Sequence, residues 1–222
     1  MADIVSKNKI GIKSGSLHAR IAEGELLKSI APSETKTDVN ELPNRIAIMI
    51  DVSGSMHGES IKLLEQALQD FIQKSNPSDT AIAVESFPEQ VRIELTNDKM
   101  KLWMLCMGLT ANGGTPMNKA MQYCLDNYKM TRAILISDGQ PDEGPSSQAK
   151  DFLCRKVPID TVHISESTTG EQCLRDMSEA TGGLFVKFKD VNSFATAFAF
   201  LLPETRANAA TLFLTNGANE VR

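Results

Sequence analysis

The stretch RIAIMIDVSGSM (residues 45–56) contains a run of apolar residues that ends at a carboxylate and two hydroxyls. A continuous apolar run of this length is typical of a parallel strand that is covered on both faces. The run therefore predicts a buried strand over 45–51, with Asp51 at its carboxyl end and with Ser53 and Ser55 in the loop that follows.

Downstream of this strand, helical and extended patterns alternate along the chain. Helices are predicted over 60–75, 98–109, 116–129, 146–156, 170–182 and 191–202, and further strands over 80–87, 90–96, 132–138, 158–165 and 184–188. Such alternation indicates an α/β fold that is Rossmann-like and doubly wound, with a mostly parallel six-stranded sheet and helices on both faces. Only a short turn precedes the strand over 90–96, so we expect it to be the one antiparallel edge strand. The common strand order for this class is 3-2-1-4-5-6.

The regular pattern covers residues 44–203, which we predict to be one domain. Residues 1–43 form an N-terminal extension in which 16–30 has an irregular amphipathic pattern, and residues 204–222 form a C-terminal tail. That tail contains one short apolar run, TLFLT, which we expect to be an edge or swapped strand.

The composition excludes several classes of function. A formal net charge of −5 argues against a nucleic-acid-binding protein, and no apolar run approaches the roughly 18 residues of a membrane span. The N-terminus has no apolar segment like that of a signal peptide. The four cysteines are far apart in predicted helices, so we expect reduced, mostly buried thiols and a cytoplasmic protein. The oligomeric state cannot be read from the sequence.

A ligand site is predicted where the strand order reverses, because open α/β sheets bind ligands there, at the carboxyl ends of the strands. The strands over 45–51 and 132–138 flank that crevice, and they end in Asp51 and Asp138. Two carboxylates at one crevice repel each other and resist ionisation, and a divalent cation would remove this conflict.

The candidate ligands supply only oxygen: Asp51, Ser53, Ser55, Thr115 and Asp138. Such a set favours Mg²⁺ or Mn²⁺ over Ca²⁺ and disfavours zinc. Hydroxyls donate weakly, so the cation should keep positive character toward an open position. We expect that position to take a Glu or Asp side chain from a protein partner.

Helix capping offers a simpler explanation of the same hydroxyls. Ser53 or Ser55 would cap the helix that begins near residue 59, and Thr115 before Pro116 is a good N-cap followed by a good first helical residue. The hydroxyls support a metal site only when they are taken together with the two aspartates.

Residues near these candidates carry weaker predictions. Met56 and Met117 would line the surface on which the partner lands, and His57 would lie at the rim. Asp142 is expected to be a solvated loop carboxylate, and His163 a core residue with satisfied hydrogen bonds.

Apolar residues of the predicted helices are expected in the core. Trp103 should lie on the buried face of its helix. The methionines at helical spacing are expected to fill the core: Met100, Met104, Met107, Met117, Met121 and Met130.

Three motifs, in the expected order, resemble those of von Willebrand factor A-like (VWA) domains. DVSGSM is similar to the DxSxS motif of that family, and Thr115 in GGTPM and Asp138 in LISDGQPD are similar to the remaining members of its metal-ion-dependent adhesion site (MIDAS). The resemblance covers approximately residues 44–202. It implies that Ser53, Ser55 and Thr115 bind the metal directly, and that Asp51 and Asp138 bind directly or through water. The form SGSMHGESI looks most like small bacterial intracellular members, including those of tellurium-resistance and related stress operons.

Three functions follow from these patterns. The first is a divalent-cation-dependent protein-interaction module, and the second is a structural scaffold of the same fold whose contacts do not depend on the metal. The third is a metal-dependent phosphatase or hydrolase, which is disfavoured because Ser53 stands where the hhhDxD motif needs a general acid. Nor does the chain contain GxSxG, P-loop or GxGxxG motifs. We therefore predict a binding module and not an enzyme.

Overall fold

The computed structural model describes residues 38–139, 141–142, 148–164 and 168–187. The elements in this part of the chain are, in order, β1 (Asn44–Asp51), α1 (Glu59–Lys74), β2 (Thr80–Phe87), β3 (Arg92–Thr96), α2 (Lys99–Leu105), α3 (Met117–Asn127), β4 (Arg132–Ser137), α4 (Gln148–Cys154), β5 (Ile159–His163), α5 (Thr168–Thr181) and β6 (Phe185–Lys187). A short 3₁₀ turn, Gly54–Met56, lies between β1 and α1.

Within these residues the strands form one six-stranded sheet in the order β3-β2-β1-β4-β5-β6. Five strands are parallel, and β3 pairs antiparallel with β2 at one edge. The predicted α/β fold, strand order and antiparallel edge are confirmed. β1 lies between β2 and β4, so the strand order reverses beside it, and its carboxyl end is the expected place for a ligand.

The unbroken apolar run of β1 is explained by two cores, one on each face of the sheet. Ile46, Ile48 and Ile50 pack in the core that α1 and α2 cover. Ala47 and Met49 pack in the core on the opposite face, which α3, α4 and α5 cover. Successive side chains of a strand point to opposite faces, so a strand that is covered on both faces needs apolar residues throughout.

Helix α1 connects the loop after β1 to the far end of the sheet. It begins after Gly58, whose φ of 95° favours glycine, and it ends at Ser75, whose hydroxyl donates to the carbonyl of Ile72. The residues that the periodicity places on its inner face are all buried: Ile61, Leu64, Leu68, Phe71 and Ile72.

The predicted burial of α2 is partly wrong. Only one side of this short helix packs on the sheet, through Leu102 and the following Cys106, so the residues on its other side face solvent. Trp103 is 41% exposed, and the methionines beside it are also exposed: Met100, Met104 and Met107. Three other methionines are buried as predicted: Met117, Met121 and Met130.

All four cysteines are free, as predicted, but only two of them are buried. Burial raises the pKa of the Cys106 thiol to about 12, and it also raises the pKa of Cys124. Cys173 is half-buried and Cys154 is exposed. The two buried thiols therefore behave as small apolar side chains.

Several sequence predictions lie outside the described residues. These are the amphipathic pattern over 16–30, the helix over 191–202 and the apolar run over 211–215. In the part of the chain that the structure describes, no helix is both long enough and apolar enough to cross a membrane.

Candidate metal centre

Asp51 ends β1 as a fully buried carboxylate whose two oxygens both accept hydrogen bonds. The backbone N–H of Ser53 donates to Oδ1 over 2.9 Å, and the hydroxyl of Ser137 donates to Oδ2 over 2.5 Å. The first bond shapes the loop after β1, and the second joins the end of β1 to the end of β4. The carboxylate is therefore held in one orientation.

Ser137 and Asp138 bring the end of β4 to the same place. Ile50 pairs with Ile136 across the two strands, so the residues that follow them, Asp51 and Ser137, also lie side by side. Ser137 is fully buried, and its Oγ accepts from the backbone N–H of Gly139 over 2.8 Å while it donates to Asp51. Asp138 follows directly and is half-buried.

Burial raises the pKa of Asp51 above its usual value, and the nearby charge of Asp138 raises it further. Hydrogen bonds from Ser137 and Ser53 act in the opposite direction and are outweighed. The charged form of Asp51 is therefore less favourable here than in water, mainly because the carboxylate is buried and to a smaller extent because Asp138 is near.

The hydroxyls of Ser53 and Ser55 lie 3.0 Å apart in the loop after β1. Ser53 is buried and Ser55 is exposed, so the pair runs from the buried carboxylate toward solvent. Neither serine caps α1, whose N-cap is Gly58, and Ser53 makes no side-chain capping bond to the 3₁₀ turn. The capping explanation of these two hydroxyls is therefore wrong.

Thr115 lies in the loop before α3, and backbone hydrogen bonds connect this loop to the one after β1. Gly54 N donates to the carbonyl of Gly113 over 2.9 Å, and Asn112 N donates to the carbonyl of Val52 over 2.7 Å. Thr115 itself is buried, and the N-cap of α3 is the following residue, Pro116. Capping therefore does not explain Thr115 either.

Asp142 also contacts this loop, although it is exposed as predicted. Its Oδ2 accepts a hydrogen bond from the backbone N–H of Thr115 over 2.5 Å, and its own N–H donates to the carbonyl of Thr115 over 3.1 Å. The interpretation of Asp142 as a merely solvated carboxylate is thus incomplete.

For the other residues near the site, some predictions agree with the structure and others are wrong. His57 is exposed, as a rim residue should be, but Met56 and Met117 are fully buried and cannot line a partner's landing surface. His163 is buried beside the backbone carbonyl of Asp138, with Nε2 3.1 Å from that oxygen. Among the described residues its Nδ1 has no partner, so only half of its hydrogen-bonding capacity is satisfied.

Ser137 is the site residue that sequence reasoning missed. The sequence feature that could have identified Ser137 is its position at the end of an apolar strand, directly before Asp138. A hydroxyl at that position is buried and faces the neighbouring strand. The strand pairing turns that position into a contact with Asp51.

These side chains fit a divalent cation that prefers oxygen. Within the described ranges, no three or more His, Cys, Asp or Glu side chains form a group that could hold a metal ion. A metal at this edge of the sheet therefore depends on the hydroxyls beside the two aspartates. Oxygen-only sets with few carboxylates suit Mg²⁺ or Mn²⁺ and do not suit zinc.

Comparison with solved structures shows the same fold in several proteins. Conserved hypothetical protein BatB from Bacteroides thetaiotaomicron has a TM-score of 0.63 at 13% identity, over 76% of this chain and 99% of its own. The VWA domain of SpRpn10 has a TM-score of 0.58 at 16% identity, over 72% and 95% of the two chains. The vWF domain of the type V pili tip protein Mfa5 from Porphyromonas gingivalis has a TM-score of 0.56 at 12% identity, also over 72% and 95%.

The sequence itself matches a known family over most of the sheet and its helices. A search of curated proteins finds no significant match. The sequence model of the von Willebrand factor type A domain, however, matches residues 46–199, which is more than half of the chain. The chain therefore belongs to the von Willebrand factor type A domain family.

Proposed function

We propose that this protein is a divalent-cation-dependent interaction module that binds an acidic side chain of a protein partner. In this proposal Asp51, Ser53, Ser55, Thr115 and Asp138 hold Mg²⁺ or Mn²⁺, with the aspartates bound directly or through water. When bound, the cation supplies a positive charge that attracts a carboxylate. The observation that carries the proposal is the fully buried Asp51, with both oxygens hydrogen-bonded and a second carboxylate nearby.

The electrostatics of Asp51 support a cation at this place. Burial of a carboxylate next to a like charge is unfavourable unless an opposite charge or a proton compensates it. A divalent cation would provide that charge, and the oxygens of Ser53 and Ser55, 3.0 Å apart, lie on the solvent side of Asp51. Their hydroxyls would complete the coordination without adding negative charge, so the cation would remain attractive to an external carboxylate.

The surface around the serines supports access for such a carboxylate. Gly54, Ser55, Gly113 and Gly114 are all exposed, and three of them have no side chain. A Glu or Asp of a partner could therefore approach Ser55 closely. Met56 and Met117 are buried in the two apolar cores and would not contact the partner.

Mfa5 is a type V pili tip protein, and its vWF domain shares the fold of this chain. This likeness shows the fold alone, so the proposed binding role rests on the site described above, and we propose that the protein is not an enzyme. A cytoplasmic location and a bacterial stress context also stay proposals; the free thiols fit a reducing compartment.

Calorimetric titration with Mn²⁺ and with Mg²⁺ tests the metal site. We expect the wild-type protein to bind either ion, and we expect Asp51→Ala and the double variant Ser53→Ala/Ser55→Ala to lose measurable binding while they stay folded. Ser75→Ala is a matched control, because it removes a buried serine hydroxyl that donates to a backbone carbonyl at the other end of α1. Undiminished binding by the double serine variant would refute the ligand assignment.

Affinity capture from a lysate tests the dependence of the partner on the cation. Recovery with Mg²⁺, with EDTA, and with the double serine variant should be high only in the first case. A partner so identified should lose binding when one of its Glu or Asp residues is replaced by Gln or Asn. Equal recovery in all three conditions would favour the metal-independent scaffold instead.

A further inference from the structure

The loop before α3 contributes one candidate metal ligand, Thr115. Two glycines precede Thr115, and one of them, Gly113, has a φ of 81°, so the local backbone has few intrinsic constraints. We infer that Asp142 is a positioning residue of the proposed metal site, which holds Thr115 in place without contacting the cation. This inference rests on the proposed function, because it assigns a role within that site.

Asp142 forms hydrogen bonds with both peptide groups that flank Thr115. The carboxylate accepts from the N–H of Thr115 over 2.5 Å, and the N–H of Asp142 donates to the carbonyl of Thr115 over 3.1 Å. The same carbonyl also accepts from Met117 N over 2.8 Å, at the first residue of α3. Both peptide groups of Thr115 are thus held, which leaves its side chain little freedom to shift.

Gly114 also shows how closely the carboxylate of Asp142 approaches the loop before α3. A Cβ on this residue would lie 2.2 Å from Oδ2 of Asp142, well inside contact distance. The carboxylate therefore occupies the space that any other side chain at position 114 would need. Gly114 has no positive φ, so a close approach explains this glycine better than backbone conformation does.

Asp142 also connects Thr115 to the rest of the candidate site. Asp142 lies four residues after Asp138, which directly follows Ser137 at the end of β4, and Ser137 donates to Asp51. Hydrogen bonds thus join the end of β1 to the end of β4, and Asp142 is hydrogen-bonded to the loop before α3. Asp142 therefore connects the segment after β4 to Thr115, in addition to the backbone hydrogen bonds that join the loop before α3 to the loop after β1.

The hydrogen bond, not the charge, should be the source of the effect. Asp142 is exposed, so water and salt screen its attraction for a cation. Its hydrogen bonds with Thr115 are local and directional. Asn at this position keeps an acceptor oxygen and loses the charge, so it separates the two contributions.

Calorimetric titration with Mn²⁺ on the full chain tests the inference. We expect Asp142→Ala to bind about 10- to 100-fold more weakly, the range for lost supporting residues of a metal site, and Asp142→Asn to stay near wild type. Asp98→Ala is a matched control, because it also removes an exposed carboxylate that accepts from a backbone N–H, that of Lys101. Its affinity for Mn²⁺ should not change.

A double-mutant cycle with Thr115→Ala then shows whether Asp142 acts through Thr115. Once the threonine hydroxyl is gone, Asp142→Ala should weaken Mn²⁺ binding by much less than it does in the wild type. If Asp142→Ala does not fold, Gly114→Ala replaces it in the cycle, because the added methyl displaces the carboxylate. Both comparisons use samples whose far-UV circular dichroism matches that of the wild type.

The possible outcomes separate the inference from the proposed function. If the wild-type protein binds Mn²⁺ and Asp142→Ala binds it equally well, the inference is wrong and the proposed function stands. Equal losses in Asp142→Asn and Asp142→Ala would also overturn the inference, because charge and not positioning would then explain the effect. If the wild-type protein does not bind Mn²⁺, the proposed function fails and the inference fails with it.

Discussion

The hydroxyl of Ser137 donates a 2.5 Å hydrogen bond to Oδ2 of Asp51 and so joins the end of β4 to the end of β1 inside the core. The same hydroxyl oxygen accepts from the N–H of Gly139, beyond Asp138. One buried serine therefore orients the first carboxylate of the candidate site and shapes the backbone around the second.

Ser137→Ala should weaken both metal binding and stability. Asp51 loses a donor that lowers its pKa, and the N–H of Gly139 loses its acceptor. We expect Mn²⁺ affinity to fall by about 10-fold, as for other residues that support a metal ligand, and stability to fall by about 1–3 kcal/mol. Calorimetry and urea denaturation measure the two effects. Ser178→Ala is the control, because its buried hydroxyl donates to Arg175 O outside the site; it should leave affinity unchanged.

Asp51→Asn should remove metal binding without loss of stability in EDTA. The variant has no charge to bury beside Asp138, and its amide keeps one acceptor oxygen for the N–H of Ser53 or the hydroxyl of Ser137. We expect its melting temperature to equal that of the wild type or to exceed it by about 2–4 °C, which corresponds to about 1 kcal/mol for a domain of this size. A clear decrease would show that the ionised carboxylate stabilises the protein without a metal.

The pH dependence of this difference follows from the raised pKa of Asp51. Its ordinary value is 3.8, so the unfolded chain loses the proton first as the pH rises and the folded protein holds it longer. The favourable contribution of protonated Asp51 is thus complete below pH 3.8 and is lost as the pH rises through the raised pKa. Without metal, the stability of Asp51→Asn relative to wild type should grow over that window and then stay constant. Mn²⁺ should reverse the trend for the wild type alone.

Arg92→Ala should destabilise the protein through the carboxylate that it leaves behind. Arg92 pairs with buried Glu85 over 2.7 Å and lies 3.6 Å above the ring of Tyr123. Loss of one partner leaves a buried charge uncompensated, so we expect a decrease of about 3 kcal/mol in urea denaturation. Lys74→Ala removes the exposed pair with Asp70 and should change stability by no more than about 0.5 kcal/mol. Similar values for the two variants would contradict the difference in burial.

Two methionines that the sequence does not distinguish should differ sharply in their effect on stability. Met104 is 64% exposed on α2, whereas Met121 is fully buried under the sheet on α3. We expect Met121→Ala to cost about 2–5 kcal/mol and Met104→Ala less than about 0.5 kcal/mol. Thermal and urea denaturation measure both changes. A large loss for Met104→Ala would mean that a further surface covers α2.

The fold could be predicted from the sequence because its signals are local and repeated. The apolar run of β1 and the periodicity of α1 each specify an element and its buried faces, and the short turn before β3 specifies a hairpin. Element type and order then leave few allowed topologies, since crossovers between parallel strands are right-handed. Orientation was less predictable for α2, where apolar residues lie on both sides of the helix and the chain pattern cannot tell which side packs.

The sequence proposes the members of the candidate site, whose role as metal ligands stays a prediction, and it does not show the residues that support them. Strand ends and loop residues identified Asp51, Ser53, Ser55, Thr115 and Asp138, because the carboxyl ends of parallel strands meet at one edge. The hydrogen bonds of Ser137 and Asp142 could not be predicted, because each joins residues that are distant in the chain. The burial of Met56 and Met117 also depends on how the loops pack.

The sequence by itself determined the element types, the family and the set of candidate ligands, because periodicity and motif spacing are local properties of the chain, and the strand order was expected from the fold class. Only the tertiary structure decided that Ser137 fixes Asp51, that Asp142 holds Thr115, and that half of the predicted core methionines face solvent. Those facts depend on distances between segments that the chain order does not encode, and packing of the whole sheet sets them.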